Sequence, residues 1–117
     1  MAGLPKFGAR FFRTSAGNEP VREWLKALAA DDRKVIGDDI RTVQFGWPVG
    51  MPLTRNLGGR LHEVRSNLGG NRIARMIFVV MDDEAILLHG FIKKSQKIPK
   101  ADLQLARERL KRVLESK

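Results

Sequence analysis

The run LLHGFIKKSQKIPK, residues 87–100, ends an apolar segment in four lysines, Lys93, Lys94, Lys97 and Lys100, and no carboxylate lies between Glu84 and Asp102 to balance them. Upstream, between Gly46 and Met81, five arginines (Arg55, Arg60, Arg65, Arg72 and Arg75) stand against a single carboxylate, Glu63. Side chains of these types handle phosphate. Arginine stays protonated at any accessible pH and grips a phosphodiester through two parallel N–H donors, which suits both clamping and stabilising the charge that grows on a pentacoordinate phosphorus. Lysine, with an ordinary pKa near 10.4, is a poor base at neutral pH unless crowding by other cations lowers it. His89, or Glu63 if released from its arginines, is the more conventional proton acceptor.

To act together these side chains must be carried to one surface. Side chains alternate along a strand, so RLHEVRS sets Leu61, Glu63 and Arg65 on one face and His62 and Val64 on the other. In RIARMIFVVM, Arg75 shares a face with Ile73 and Ile77, and Arg72 lies with Ala74, Met76 and Phe78. In EAILLHGFIKK, His89 and Lys93 share a side. The arrangement that reconciles these patterns has helices covering one face of a sheet and leaves a basic floor at one end of the other, where Arg65, Arg75, His89 and Lys93 converge. Arg75 is expected to face that floor and to contribute charge rather than packing. Taken alone, KKSQK has the composition of a solvated surface; the arginine excess over adjacent strands is the stronger sign of a binding floor. His62 and His89 have no third ligand at a metal-binding spacing, so no metal and no cofactor are expected. Trp24 falls on a helix stripe and reads as core; Trp47, in a Pro/Gly loop, reads as a packing anchor before a base-stacking platform.

The surrounding elements follow from periodicity. Residues 7–13 suit an opening strand. In NEPVREWLKALAA, Asn18 is placed to cap, Pro20 falls in the first turn, and Val21, Trp24, Leu25 and Leu28 form one helical stripe. A second helix begins at Asp31 or Asp32, buries Val35, Ile36, Ile40 and Val43, and stops at Gly46. GWPVGMPLTRNLGGR, with two prolines and four glycines, has no period and reads as the longest loop. Three strand-like runs separated by NLGGN and DDE then predict an antiparallel meander, and Pro99 opens a last helix with Leu103, Ala106, Leu110, Val113 and Leu114 on one stripe. The predicted order is β-α-α-β-β-β-α.

Composition narrows the function classes. The 117 residues suffice for one domain, residues 1–117, around one core. The absence of cysteine excludes disulfides, thiolate metal sites and a cysteine nucleophile. No apolar run is long enough to span a bilayer and the N-terminus lacks the pattern of a secretory signal, so a cytoplasmic protein with no membrane partner is expected. The formal charge of +9 predicts a polyanionic partner.

The succession EPVREWLKAL, GMPLTRNLGGRLHEVRS, RIARMIFVV and above all ILLHGFIKKSQKIPKADLQLARER resembles the phage-derived HigB-type toxins of the RelE/ParE superfamily, over about residues 7–113. The resemblance implies an α+β, RelE-like domain: a mainly antiparallel twisted sheet with two N-terminal helices on one face and a C-terminal helix. It implies the toxin of a type II toxin–antitoxin pair, a metal-independent endoribonuclease that cleaves mRNA on the translating ribosome and is silenced by an antitoxin, HigA-like and of helix-turn-helix type. Carried over residue by residue, the arginine of the LxEVR strand is Arg65, that of the next strand is Arg75, and the lysine pair is Lys93 and Lys94. On this reading Arg65, Arg75, His89 and Lys93 are catalytic, and Arg60, Arg72, Lys94 and Lys97 bind RNA. Two departures stand out: the chain has no tyrosine, which related nucleases use near the C-terminus, and Ala74 stands where an aromatic residue often precedes the second arginine. Two rival readings are a ParE-like gyrase inhibitor of the same fold and a non-catalytic basic nucleic-acid-binding module.

Overall fold

A computed structural model describes residues 3–93 and 97–116. The chain runs β1 (Gly8–Phe11), α1 (Pro20–Ala27), α2 (Ala30–Gly46), β2 (Thr54–Gly58), β3 (Leu61–Asn67), β4 (Ile73–Met81), β5 (Glu84–Lys93) and α3 (Lys100–Glu115). The strands form one sheet in the order β1-β5-β4-β3-β2, antiparallel except for β1, which lies parallel to β5 at the edge. The α+β class, the meander and the flanking helices are as the sequence predicts.

Two expectations need correction. The stretch read as an unbroken loop contains a strand, β2, paired to β3 with a bulge between Asn56 and Gly58. An edge strand needs one partner only, and five residues between glycines and prolines leave too short a pattern to see. Asn18 does not cap α1: Glu19 occupies the N-cap position without a side-chain cap bond, while the Asn18 N–H donates to Thr14 Oγ1 at 3.1 Å and closes the preceding turn. Pro20 does open the helix, where its missing N–H has no intrahelical acceptor to lose.

The sheet divides two cores. On one face α1 packs on β5 and β1 and α2 on β3, burying Val21, Ile36 and Val43 against Val64, Met76, Phe78 and Leu87. On the other face Ala106, Leu110 and Val113 of α3 pack on Leu61, Val79, Ile86 and Leu88. Leu103 is only partly buried and Leu114 is 40% exposed, so the inner stripe of α3 is narrower than the sequence spacing suggests.

One irregularity sets which residues of β5 look toward α3. Leu87 pairs with Phe78 and His89 with Ile77, so Leu88 is an extra residue, a β-bulge. A bulge shifts the alternation by one position. Leu88 and His89 therefore both turn to the α3 face, and Phe91 and Lys93 follow; without it His89 would face α1 and α2.

Gly90, on the α1/α2 face opposite Met76, has its own reason to lack a side chain. A Cβ there would lie 2.5 Å from Cζ3 and 2.7 Å from Cε3 of Trp24, so the glycine is the seat of the helix-borne indole. Gly90→Ala is expected to destabilise the protein by about 1–3 kcal/mol through this overpacking. Urea unfolding monitored by circular dichroism checks it, and a midpoint equal to wild type would contradict the seating.

Candidate active site

The α3 face of the sheet beyond the helix is built in rows across the strands. Arg55 of β2 pairs with Glu63 of β3, Glu63 with Ile77 of β4, and Ile77 with His89 of β5. The next row runs Arg65, Arg75, Phe91, and the last pairs Ile73 with Lys93. Neighbouring strands are about 4.8 Å apart, so Arg65, Arg75, His89 and Lys93 lie on one face of three adjacent strands. The register thus brings the four residues to one face of the sheet, though not to one depth.

At its centre Glu63 Oε1 lies 3.1 Å from Arg75 Nη1, 3.5 Å from Arg55 Nε and 3.7 Å from Arg65 Nε. Glu63 and Arg75 are fully buried, whereas the side chains of Arg65 and Arg55 are 17% and 36% exposed. Three guanidiniums around one carboxylate leave a net positive cluster whose charge rises toward solvent on Arg65 and Arg55. Lys93 at the end of β5 is exposed beside it.

Arg75 is thus placed differently from the expectation. It does not face the floor as a surface donor but lies beneath it, hydrogen-bonded to Glu63. Burial lowers its pKa, partly offset by Glu63, while Arg65 and Arg55 lower it further; guanidinium nevertheless stays charged at neutral pH. An arginine with apolar neighbours at i−2 and i+2 reads equally well as floor or as core, and only its paired carboxylate decides.

His89 is held by α3. Its Nε2 lies 2.6 Å from Asp102 Oδ1, and its ring stacks on Phe91 with centroids 5.5 Å apart. An ionised carboxylate only accepts, so the contact puts a hydrogen on Nε2 and leaves Nδ1 as the basic nitrogen of the neutral ring. Asp102 lies in the first turn of α3, where strand alternation does not reach, and it fixes the orientation of the His89 ring.

Of the other expected RNA contacts, Arg72 and Arg60 are not gathered here. Arg72 faces α2, where its guanidinium makes a two-pronged bond to Asp32 at 2.8 and 3.0 Å and its Nε–H donates to Gly69 O. That partner lowers the Asp32 pKa and raises that of Arg72. Arg60 sits in the turn between β2 and β3 with φ +73, at the opposite end of β3 from Arg65. Lys97 is exposed just before α3, and Lys94 falls outside the described residues. His62, on the α1/α2 face, packs edge-on to Trp47 at 4.9 Å between centroids and against Phe78, so the two histidines lie on opposite sides of the sheet. Trp47 is the packing anchor, in contact with Phe7 and Phe78.

Removing Arg75 alone strands a buried carboxylate with two more distant arginines. Arg75→Met is expected to cost about 3–5 kcal/mol, and Arg75→Met combined with Glu63→Met to recover part of it, as read from urea unfolding of both proteins. A single variant as stable as wild type would remove the pair from the fold's foundations. A second expectation concerns pH. Burial lowers the His62 pKa below its ordinary value of 6.5, so its contribution is complete above that value and is lost as pH falls through it, because the unfolded chain binds the proton first. Wild type should therefore lose more stability than His62→Phe between pH 7.5 and 5; equal losses would contradict it.

No curated protein matches the chain. Residues 23–111, which span α1 to most of α3, match the sequence model of the phage-derived Gp49-like proteins (DUF891), a family associated with the toxins of toxin–antitoxin systems. That match includes every strand of the arginine floor and covers well over half of the sequence; the chain belongs to the Gp49-like family.

Proposed function

We propose that this protein is a HigB-type toxin of a type II toxin–antitoxin pair, an endoribonuclease that cleaves mRNA on the translating ribosome without a metal ion. The observation that carries the reading is the partly exposed Arg55 and Arg65 over the buried Arg75–Glu63 pair, on the same face as Lys93 and a held imidazole, His89. The family membership and the resemblance of the ILLHGFIKKSQKIP block support the same activity.

The reaction that suits these groups is attack of a ribose 2′-hydroxyl on its own 3′-phosphate. His89 Nδ1 takes the 2′-hydroxyl proton as the O2′–P bond forms. Arg65 and Arg55 stabilise the charge on the non-bridging oxygens. The P–O5′ bond then breaks, and protonated Lys93 supplies a proton to the departing 5′-oxygen, which gives a 2′,3′-cyclic phosphate and a 5′-hydroxyl. Arg75, buried beneath, acts through Glu63 by holding the outer arginines in place. An acid–base set of this kind is modest, and alignment of the codon by the ribosome supplies on the order of 7–11 kcal/mol of the barrier. The antitoxin, HigA-like, meets the same positive surface with acidic side chains.

Arg65→Ala leaves Glu63 with Arg75 and Arg55 and should keep the fold while lowering single-turnover cleavage on programmed ribosomes by roughly 100–1,000-fold. Lys93→Met should lower the same step with RNA binding nearly kept. Undiminished cleavage by folded Arg65→Ala would sink the assignment, and trapping of gyrase–DNA complexes in place of mRNA cleavage would replace it with the gyrase reading.

A further inference from the structure

The loop that follows α2 and the edge strand β2 border a second feature, open to solvent on the α1/α2 side of the sheet and meeting the floor of the other side only at the β2 edge, through Arg55. Trp47, Pro48 and Met51 wall a cleft of about 440 Å³, and Arg55, Asn56 and His62 contribute its polar side. Met51 is 68% exposed, an unusual position for a large apolar side chain. Arg55 belongs to both places: its Nε approaches Glu63 at 3.5 Å in the cluster, and its side chain lines the cleft.

The polar groups are of a kind that reads a base edge. Asn56 Oδ1 accepts from the Gly58 N–H at 2.8 Å, which fixes the amide and leaves its NH₂ as a donor. His62 makes no hydrogen bond among the described residues, and burial favours its neutral form, so its ring offers one donor and one acceptor. An apolar wall, a guanidinium plane and a fixed donor–acceptor set are the means by which proteins hold an unstacked base of single-stranded RNA.

We propose that this cleft is a nucleobase slot, in which Trp47, Met51, Asn56 and His62 hold one base of the RNA strand whose phosphate is gripped by the floor, Arg55 spanning the two. The inference rests on the ribonuclease reading for its ligand and adds a site that the floor does not contain. It makes β2 the element that couples phosphate binding to base selection.

The test uses a labelled 2′-O-methyl trinucleotide, which cannot undergo 2′-hydroxyl attack, and the same backbone with abasic sugars. The full chain is titrated with each, by anisotropy and by NMR of the Trp47 indole N–H and the His62 ring. Wild type should bind the base-bearing trinucleotide roughly ten-fold or more tighter, the scale of one stacked base, with both ring signals shifting for that ligand and not for the abasic one. His62→Phe, which keeps the ring packing, should narrow the ratio, whereas Arg65→Ala should weaken both ligands and keep it. Equal affinities in wild type, or base dependence without any change at Trp47 and His62, would overturn the slot while binding that still depends on Arg65 leaves the floor standing. Failure of both ligands to bind would overturn slot and floor alike, and shifts produced at the cleft by an acidic peptide and not by the trinucleotides would assign it to a protein partner instead.

Discussion

The fully buried pair of Arg75 and Glu63 is the constraint on which the rest of this molecule depends. Two opposite charges on adjacent strands, taken out of water, hold only if each keeps its partner, since a single buried charge costs several kcal/mol. Their pairing also settles where the other cations go. Arg55 and Arg65 approach the same carboxylate from β2 and β3, and three arginines that would otherwise repel are kept within one patch by one negative charge beneath them. The pair anchors the cluster, and its surplus of positive charge lies on the side chains nearest to solvent. Structure and function therefore compete for the same side chains, and the division of labour follows depth: the buried arginine supports, and the partly exposed ones are available to a ligand.

Around this centre the two faces of the sheet have different duties. The α1/α2 face is packed from Trp24, seated over Gly90, to the Trp47–His62–Phe78 group, and opens only beside the loop after α2. Arg72 fastens that side by its two bonds to Asp32. On the other face α3 covers only the part of the sheet built by Leu61, Val79, Ile86 and Leu88. The arginine cluster lies on the same face beyond these residues, with only Arg55 and Arg65 partly exposed, and the first turn of α3 sets Asp102 against His89. A helix that serves as a lid for half of a face thereby positions the one imidazole on the other half.

Charge alone would not have distinguished these duties. The net charge of +9 is spread over both faces and the chain ends, and several of its members are spent in surface pairs such as Arg10 with Glu84 and Lys34 with Asp38, which contribute little to stability. What separates the floor from this background is a shortage of carboxylates: the buried Glu63 is shared by three arginines.

Much of this was legible in the order of residues. The helical stripes of α1 and α2, the DDE turn and the alternation of Glu63 with Arg65 follow from periods of 3.6 and 2, which depend on the local backbone alone. So does the joint placement of Arg65 with Glu63 on one face. The fifth strand was not legible, because β2 is a short edge whose pattern is interrupted by a bulge and whose existence depends on β3 as partner. Nor was the depth of Arg75: an arginine on a strand has the same period whether it ends in solvent or on a buried carboxylate, and only the register that brings β3 beside β4 supplies the carboxylate. The same holds for His89. Its face is set by the bulge at Leu88, a feature of pairing between two strands, and its hydrogen-bond partner comes from a helix thirteen residues later. Local periodicity determined which residues share an element; the tertiary structure alone decided which elements meet, how deep each charge lies and therefore which of them a ligand can reach.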